Sequence, residues 1–195
     1  PIIVQPTRHH LTGSVSMPNT HLVTTSLRAE RGESPLKGVR RSLEGVRGRG
    51  EDGCMLLDRL AQTWTAVAAT RSRNAKRELL AAALAEAGPD DLEIAVSYLG
   101  GALRQRRPGL GWRGLAELPA PAPAAMLTLV EVDAAFELMA GLSGPGSASR
   151  RTAVAAELFG RATAREQAFL RGLVLGDLRQ GAMDALVQEG LAKAY

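Results

Sequence analysis

From Met55 onward, the apolar residues of this chain recur at intervals of three and four, the spacing of one face of an α-helix. No segment sustains the alternation of apolar and polar residues that a half-buried strand requires. Hydrophobic residues make up 45% of the chain but aromatic residues only 4%, so the core must be built mainly from Ala, Leu and Val. Such small and medium side chains suit closely packed helices. The sequence therefore predicts an all-α fold.

The pattern predicts seven helices in two halves, which together form one compact multi-helix domain. The halves are joined by the connection at 103–125, whose PAPAP run favours an exposed polyproline II linker. Capping residues, helix breakers and apolar stripes place the helices of the first half: the first ends near Ala69, the second is capped by Ser72 or Asn74 and ends before Gly88, and the third is capped by Asp90 or Asp91 and ends at Gly100. In the second half, the fourth helix contains Val132 to Leu142, and the fifth is capped by Ser147 or Ser149. The sixth begins with a capping box from Thr163 to Glu166, and the seventh runs from Met183 to Ala192.

Residues 1–54 lack this periodicity and end in a segment rich in Gly and Arg. They carry eight basic and five acidic groups, which leaves sixteen basic and fifteen acidic groups for residues 55–195. We expect residues 1–54 to be a disordered or non-native tail, and Met55 to be the natural start. Because residues 55–195 are nearly neutral, any DNA binding must depend on where their charges cluster.

Cysteine and histidine are too few and too badly placed for several classes of site. Cys54 is the only cysteine, and His9, His10 and His21 all lie in the tail. A disulfide, a multi-cysteine zinc site and a histidine-based catalytic triad in the domain are therefore excluded. No apolar run approaches the roughly 20 residues of a membrane span, so we expect a cytoplasmic protein without membrane contact.

Two segments combine glycine, the start of a helix and arginine. In GLSGPGSASRR, residues 141–151, Gly144 and Gly146 permit a sharp turn before a helix whose first amides could bind a phosphate. In GDLRQG, residues 176–181, Gly176 can end one helix in a left-handed conformation and Gly181 can start the next against a neighbour. We expect the two segments to form one phosphate-gripping face. The alternative is two ordinary turns with solvated arginines.

The order of these motifs resembles the N-terminal DNA-binding domain of ATP-dependent DNA ligases, particularly the bacterial and actinobacterial ones. The matching motifs are Gly144 to Ser147, Arg150 and Arg151, Leu158-Phe159, Thr163, Glu166, Phe169-Leu170, and Gly176 to Gly181. Less sharply, TWTAVAATRSRNAKRELLAAAL resembles the family's opening helices, and SYLGGALRQRRPGLGW its central connection. The resemblance covers residues 55–195.

The resemblance implies a sequence-independent grip on the phosphate backbone and minor groove of nicked duplex DNA. The candidate DNA-binding residues are Arg71, Arg73, Lys76, Gly144, Gly146, Ser147, Arg150, Arg151, Gly176, Arg179 and Gly181. No catalytic or metal-binding residue is predicted. The basic residues between 71 and 77 could instead be a solvated helix face.

The intact protein would then be an ATP-dependent DNA ligase of the bacterial nucleoid, used in repair, replication or recombination. The family forms an enzyme-AMP intermediate on a Lys-x-Asp-Gly motif, which none of Lys37, Lys76 and Lys193 begins. We therefore expect this chain alone to be inactive and to hold no cofactor. ATP and Mg²⁺ would be used by adenylation and OB-fold domains downstream, in a monomer. The alternative is a helical protein-interaction module that does not bind DNA.

Overall fold

The computed structural model describes residues 54–105, 108–178 and 183–195. In these ranges the chain is helical and contains no strand, which confirms the predicted all-α class. The elements in chain order are α1 (Leu57–Ala69), α2 (Arg73–Ala85), α3 (Pro89–Leu99), a 3₁₀ turn (Trp112–Leu115), α4 (Leu129–Gly141), α5 (Ser147–Gly160), α6 (Ala164–Leu175) and α7 (Met183–Ala194). The tail predicted over 1–54 lies outside the described residues except for Cys54, which is exposed. No helix in the described ranges is long and apolar enough to cross a membrane.

Local signals set most helix starts correctly. The Ser72 side chain accepts a hydrogen bond from the Ala75 amide at the start of α2. Thr163 and Glu166 form the predicted capping box of α6, because each side chain binds the other's backbone amide. A second capping box, between Thr128 and Glu131, opens α4.

Two predicted side-chain caps are wrong. The third helix begins at Pro89 with Gly88 as its N-cap, so neither Asp90 nor Asp91 caps it. The fifth begins at Ser147 with Gly146 as its N-cap, and no side chain caps it. In both places a glycine occupies the N-cap position, and the nearby polar side chains are left for other contacts.

The core is shared between the two predicted halves. α7 packs most extensively on α2, α6 packs on α1, and α3 packs on α4. Gly190 permits the closest of these approaches, because a Cβ atom there would lie 3.0 Å from the Cβ of Leu80. The largest fully buried side chains come from both halves and include Leu57, Leu60, Leu80, Leu84, Tyr98, Phe136, Phe159 and Phe169.

The connection between the halves is held to the domain by hydrogen bonds. Most of its Pro-rich run is exposed, as predicted. The amide of Ala122 donates to the carbonyl of Ala162 at 2.8 Å, and the side chain of Gln167 donates to the carbonyl of Pro119 at 3.1 Å. The linker therefore lies against the corner between α5 and α6.

Asp91 ties the start of the helical region to α3. Its carboxylate is 3% exposed and accepts a hydrogen bond from the Met55 amide at 2.8 Å. Burial raises the pKa of Asp91, because the charged form loses its hydration. Beside it, the Leu57 amide donates to the Leu127 carbonyl and the Leu129 amide to the Met55 carbonyl, at 2.8 and 3.0 Å. The segment before α1 is thus fixed against both α3 and the start of α4.

We predict that Asp91→Ala lowers the free energy of unfolding by about 1–3 kcal/mol, since it leaves the Met55 amide buried without an acceptor. Asp91→Asn should cost less, because it retains an acceptor oxygen. The neighbouring exposed Asp90 provides the control, and Asp90→Ala should change stability by about 0.5 kcal/mol or less. Urea denaturation of the three variants measures these differences. Equal losses at positions 90 and 91 would contradict the assigned role.

Candidate nucleic-acid interface

The glycine loop, residues 142–147, joins α4 to α5 and has the backbone predicted for it. Gly144 and Gly146 have φ angles of +75° and +74°, in the left-handed region that favours glycine. No atom lies within 4 Å of a Cβ atom built on Gly144, and only the Arg150 guanidinium approaches one on Gly146. Ser147 begins α5 without a side-chain cap, and the first turn contains no acidic residue. The loop thus leaves the amino end of a 14-residue helix open to an anion.

Arg151 does not point freely out of this loop. Its guanidinium donates to the carbonyls of Met139 and Leu142, at the carboxyl end of α4, and to the Ser147 hydroxyl. Gly109 lies directly against it, since a Cβ atom there would be 2.6 Å from the Arg151 Nε. Arg151 therefore caps the carboxyl end of α4 and fixes the glycine loop to the connection.

Arg150, one residue earlier, remains exposed. Its guanidinium donates a hydrogen bond to the Ser143 carbonyl at 3.0 Å, and among the described residues it has no acidic partner. Of the two adjacent arginines, Arg150 is the one whose charge is available at the mouth of the glycine loop.

The second predicted segment is described only in part. Gly176 ends α6 in the left-handed conformation predicted, with a φ of +74°. The Asp177 amide donates to the Gly172 carbonyl at 2.9 Å, and Leu178 packs on the bare backbone of Gly172. Arg179 and Gly181 lie outside the described residues, so the joint face they were predicted to complete stays a prediction.

The basic residues at the start of α2 have different environments. Arg73 forms an ion pair with Glu189 of α7 at 2.5 Å, and this hydrogen bond lowers the pKa of Glu189. Arg71 is exposed and Lys76 half-buried, and neither has an acidic partner in the described ranges. α2 packs mainly on α1, α3 and α7, and α5 on α4, so these residues and the glycine loop belong to different helix pairs.

Ion pairing divides the described cations into two groups. Seven have acidic partners within 4.0 Å: Arg59, Arg73, Arg77, Arg104, Arg161, Arg165 and Lys193. Among the cationic side chains that the structure describes, which do not include that of Arg113, five have none: Arg71, Lys76, Arg150, Arg151 and Arg171. Four of these five are predicted DNA-binding residues. The fifth, Arg171, was not predicted, although its position beside the apolar stripe of α6 indicates an exposed side chain.

Comparison with known proteins places these features in a family context. Residues 117–192 match the family described as "DNA ligase N terminus". The chain is 60% identical over 140 residues to a "Probable DNA ligase" of Beutenbergia cavernae, covering 72% of this chain and 27% of that protein. Proteins with the same name from Nocardioides sp. and Kineococcus radiotolerans are 55% and 57% identical over 148 and 141 residues. The matches cover 73% and 71% of this chain and 29% and 28% of those proteins. The chain thus spans little more than a quarter of these relatives. No solved structure matches it significantly.

We predict that Arg151→Ala lowers the free energy of unfolding by about 1.5–3 kcal/mol, because the carbonyls at the end of α4 lose a charged donor. Arg151→Lys should also destabilise the fold, since one ammonium cannot replace the planar fork. Arg150→Ala is the matched control and should change stability by about 0.5 kcal/mol or less. Urea denaturation tests all three. An Arg151→Ala variant as stable as Arg150→Ala would show that the cap contributes nothing.

Proposed function

Residues 117–192 of this chain match the DNA ligase N-terminus family, and from that premise we propose that the chain is the DNA-binding portion of a ligase that seals nicks in duplex DNA. The observation that carries the proposal is the open amino end of α5, flanked by two left-handed glycines and by the unpaired Arg150. Backbone amides, the helix dipole and one guanidinium there all favour the same ligand, a phosphate group.

This chemistry supports a grip that is independent of base sequence. Phosphates are the same at every step of a duplex, so contacts with them position a protein without reading bases. The glycines allow the backbone to approach the phosphate without an intervening side chain. Arg71 and Lys76, which also lack acidic partners in the described ranges, would contact the backbone elsewhere along the duplex. The minor groove between the two strands would then face the domain.

The reaction itself is proposed for the intact protein. Its other domains would transfer AMP from ATP to the 5′-phosphate of the nick and then join that phosphate to the 3′-hydroxyl. No lysine in this chain begins Lys-x-Asp-Gly, so ATP and Mg²⁺ would be used by those other domains. Its own contribution would be to hold the duplex, as a monomer at the bacterial nucleoid.

We predict that Arg150→Gln weakens binding of the 195-residue chain to a labelled nicked duplex, equally for unrelated base sequences. The slope of log affinity against log salt should fall by about one, as for one lost phosphate contact. Arg165→Gln is the control, because Arg165 is similarly exposed but pairs with Asp58 at 2.9 Å. Fluorescence anisotropy at several salt concentrations gives both quantities.

The rival reading, a helical protein-interaction module, makes the opposite prediction. Under it the unaltered chain does not bind the duplex at low salt, or binds with a slope that neither substitution changes. Either result would refute the proposal.

We also predict that the chain, incubated with Mg²⁺ and α-labelled ATP, acquires no covalent AMP. Adduct formation needs a positioned lysine nucleophile, which the family places in Lys-x-Asp-Gly. A denaturing gel with an active ligase as positive control provides the measurement. Label that stays on the chain after denaturation would show that the nucleophile lies within these 195 residues.

A further inference from the structure

Trp112 is an exposed aromatic residue that is not among the predicted site residues. It begins the 3₁₀ turn, and its side chain is 64% exposed. The turn is nevertheless well anchored: Leu115 is buried in the core, and the Gly114 amide donates to the Gly111 carbonyl at 2.9 Å. Tryptophan is usually extensively buried. A fixed turn that holds the ring in solvent therefore presents it to something outside the domain.

Arg171 of α6 lies over the face of this ring. Its guanidinium carbon is 5.7 Å from the ring centroid, within the range of a cation–π contact. Among the described residues no carboxylate lies within ion-pair distance of Arg171. The pair thus combines an apolar ring, an indole N–H donor and a positive charge that no described acid neutralises.

Each member of the pair is linked along the chain to one of the two glycine segments. Gly109, three residues before Trp112, lies against Arg151 and so against the glycine loop. Arg171 is five residues before Gly176, about 7.5 Å along α6. The connection therefore passes from the glycine loop to α6, and Trp112 is placed on the path from one segment to the other.

We propose that Trp112 and Arg171 form a further contact of the duplex interface, with the indole against the sugar edge of the minor groove and the guanidinium on a flanking phosphate. The minor groove offers sugar carbons to the ring and the N3 and O2 acceptors to its N–H group. Arginine is well suited to the phosphate. This inference rests on the proposed function, because it adds a contact to the same DNA-binding face.

Charge favours DNA over an apolar protein partner as the occupant. The guanidinium holds its charge directly on the ring, and the neighbouring loop presents the amino end of α5 and Arg150. An apolar partner would have to cover these charges without neutralising them, which is costly. A polyanion neutralises them on contact.

Single-tryptophan variants provide the first test, because the chain contains only Trp64 and Trp112. Trp64→Phe leaves Trp112 as the reporter. Trp112→Phe leaves Trp64, which is half-buried and packs against Phe169 at a centroid distance of 6.2 Å. A saturating concentration of nicked duplex should reduce the acrylamide quenching of Trp112 fluorescence toward that of Trp64. It should leave the quenching of Trp64 fluorescence unchanged.

Affinity measurements separate the two halves of the contact. Trp112→Ala should weaken duplex binding on the order of tenfold without changing the salt slope, because the ring makes no ionic contact. Arg171→Gln should weaken binding and lower the slope by about one. Trp112→Phe keeps an aromatic ring and should retain most of the affinity. Tyr195→Ala, at an aromatic residue that is 75% exposed, is the matched control and should have no effect.

The outcomes distinguish this inference from the proposed function. The inference is overturned if the chain binds the duplex but the quenching of Trp112 fluorescence does not change. It is also overturned if Trp112→Ala keeps full affinity for the duplex. Both results leave the proposed function intact. If Trp112→Ala instead loses a protein partner but keeps its DNA affinity, the inference is likewise wrong. A chain that does not bind the duplex overturns both.

Discussion

The packing of α7 on α2 is the contact on which the rest of the domain depends, because it brings the end of the chain back to its second helix. Gly190 makes it possible, since its missing Cβ lets α7 approach the backbone at Leu80. Ion pairs between Arg73 and Glu189 and between Lys193 and Glu78 flank the contact.

The same packing explains how a nearly neutral domain can present a positive face. Acidic side chains are used in ion pairs that join helices distant in sequence, as in Arg73 with Glu189 and Arg165 with Asp58. Such pairs are of modest value to stability when exposed. They neutralise the positive charge of the paired cations, whereas Arg150 and Arg171 have no acidic partner among the described residues and keep their charge at the surface. The distribution of charge, rather than its sum, is what a phosphate backbone would sense.

Arg150 and Arg151 show how little a motif says about the role of one residue. Both follow the same glycine loop and both match the same family pattern. Three hydrogen bonds place Arg151 on the end of α4 and the glycine loop, whereas Arg150 reaches the surface. Successive helix positions differ by about 100° in direction, so neighbours in a motif face different surroundings. Arg151 therefore fixes the loop, whereas the charge of Arg150 stays exposed beside it.

The sequence by itself determined the all-α class, the seven helices of the described ranges, the sharp turn at Gly144 and Gly146 and the left-handed Gly176, because these depend on contacts within a few residues. It also identified the basic and glycine-rich segments, since composition and order are local properties. Only the tertiary structure decided that Asp91 binds Met55 instead of capping a helix, that Arg73 is paired with Glu189, and that Arg171 lies over Trp112. The partners in these contacts are 36 to 116 residues apart, and no local pattern encodes which side chains the packing of helices will bring together.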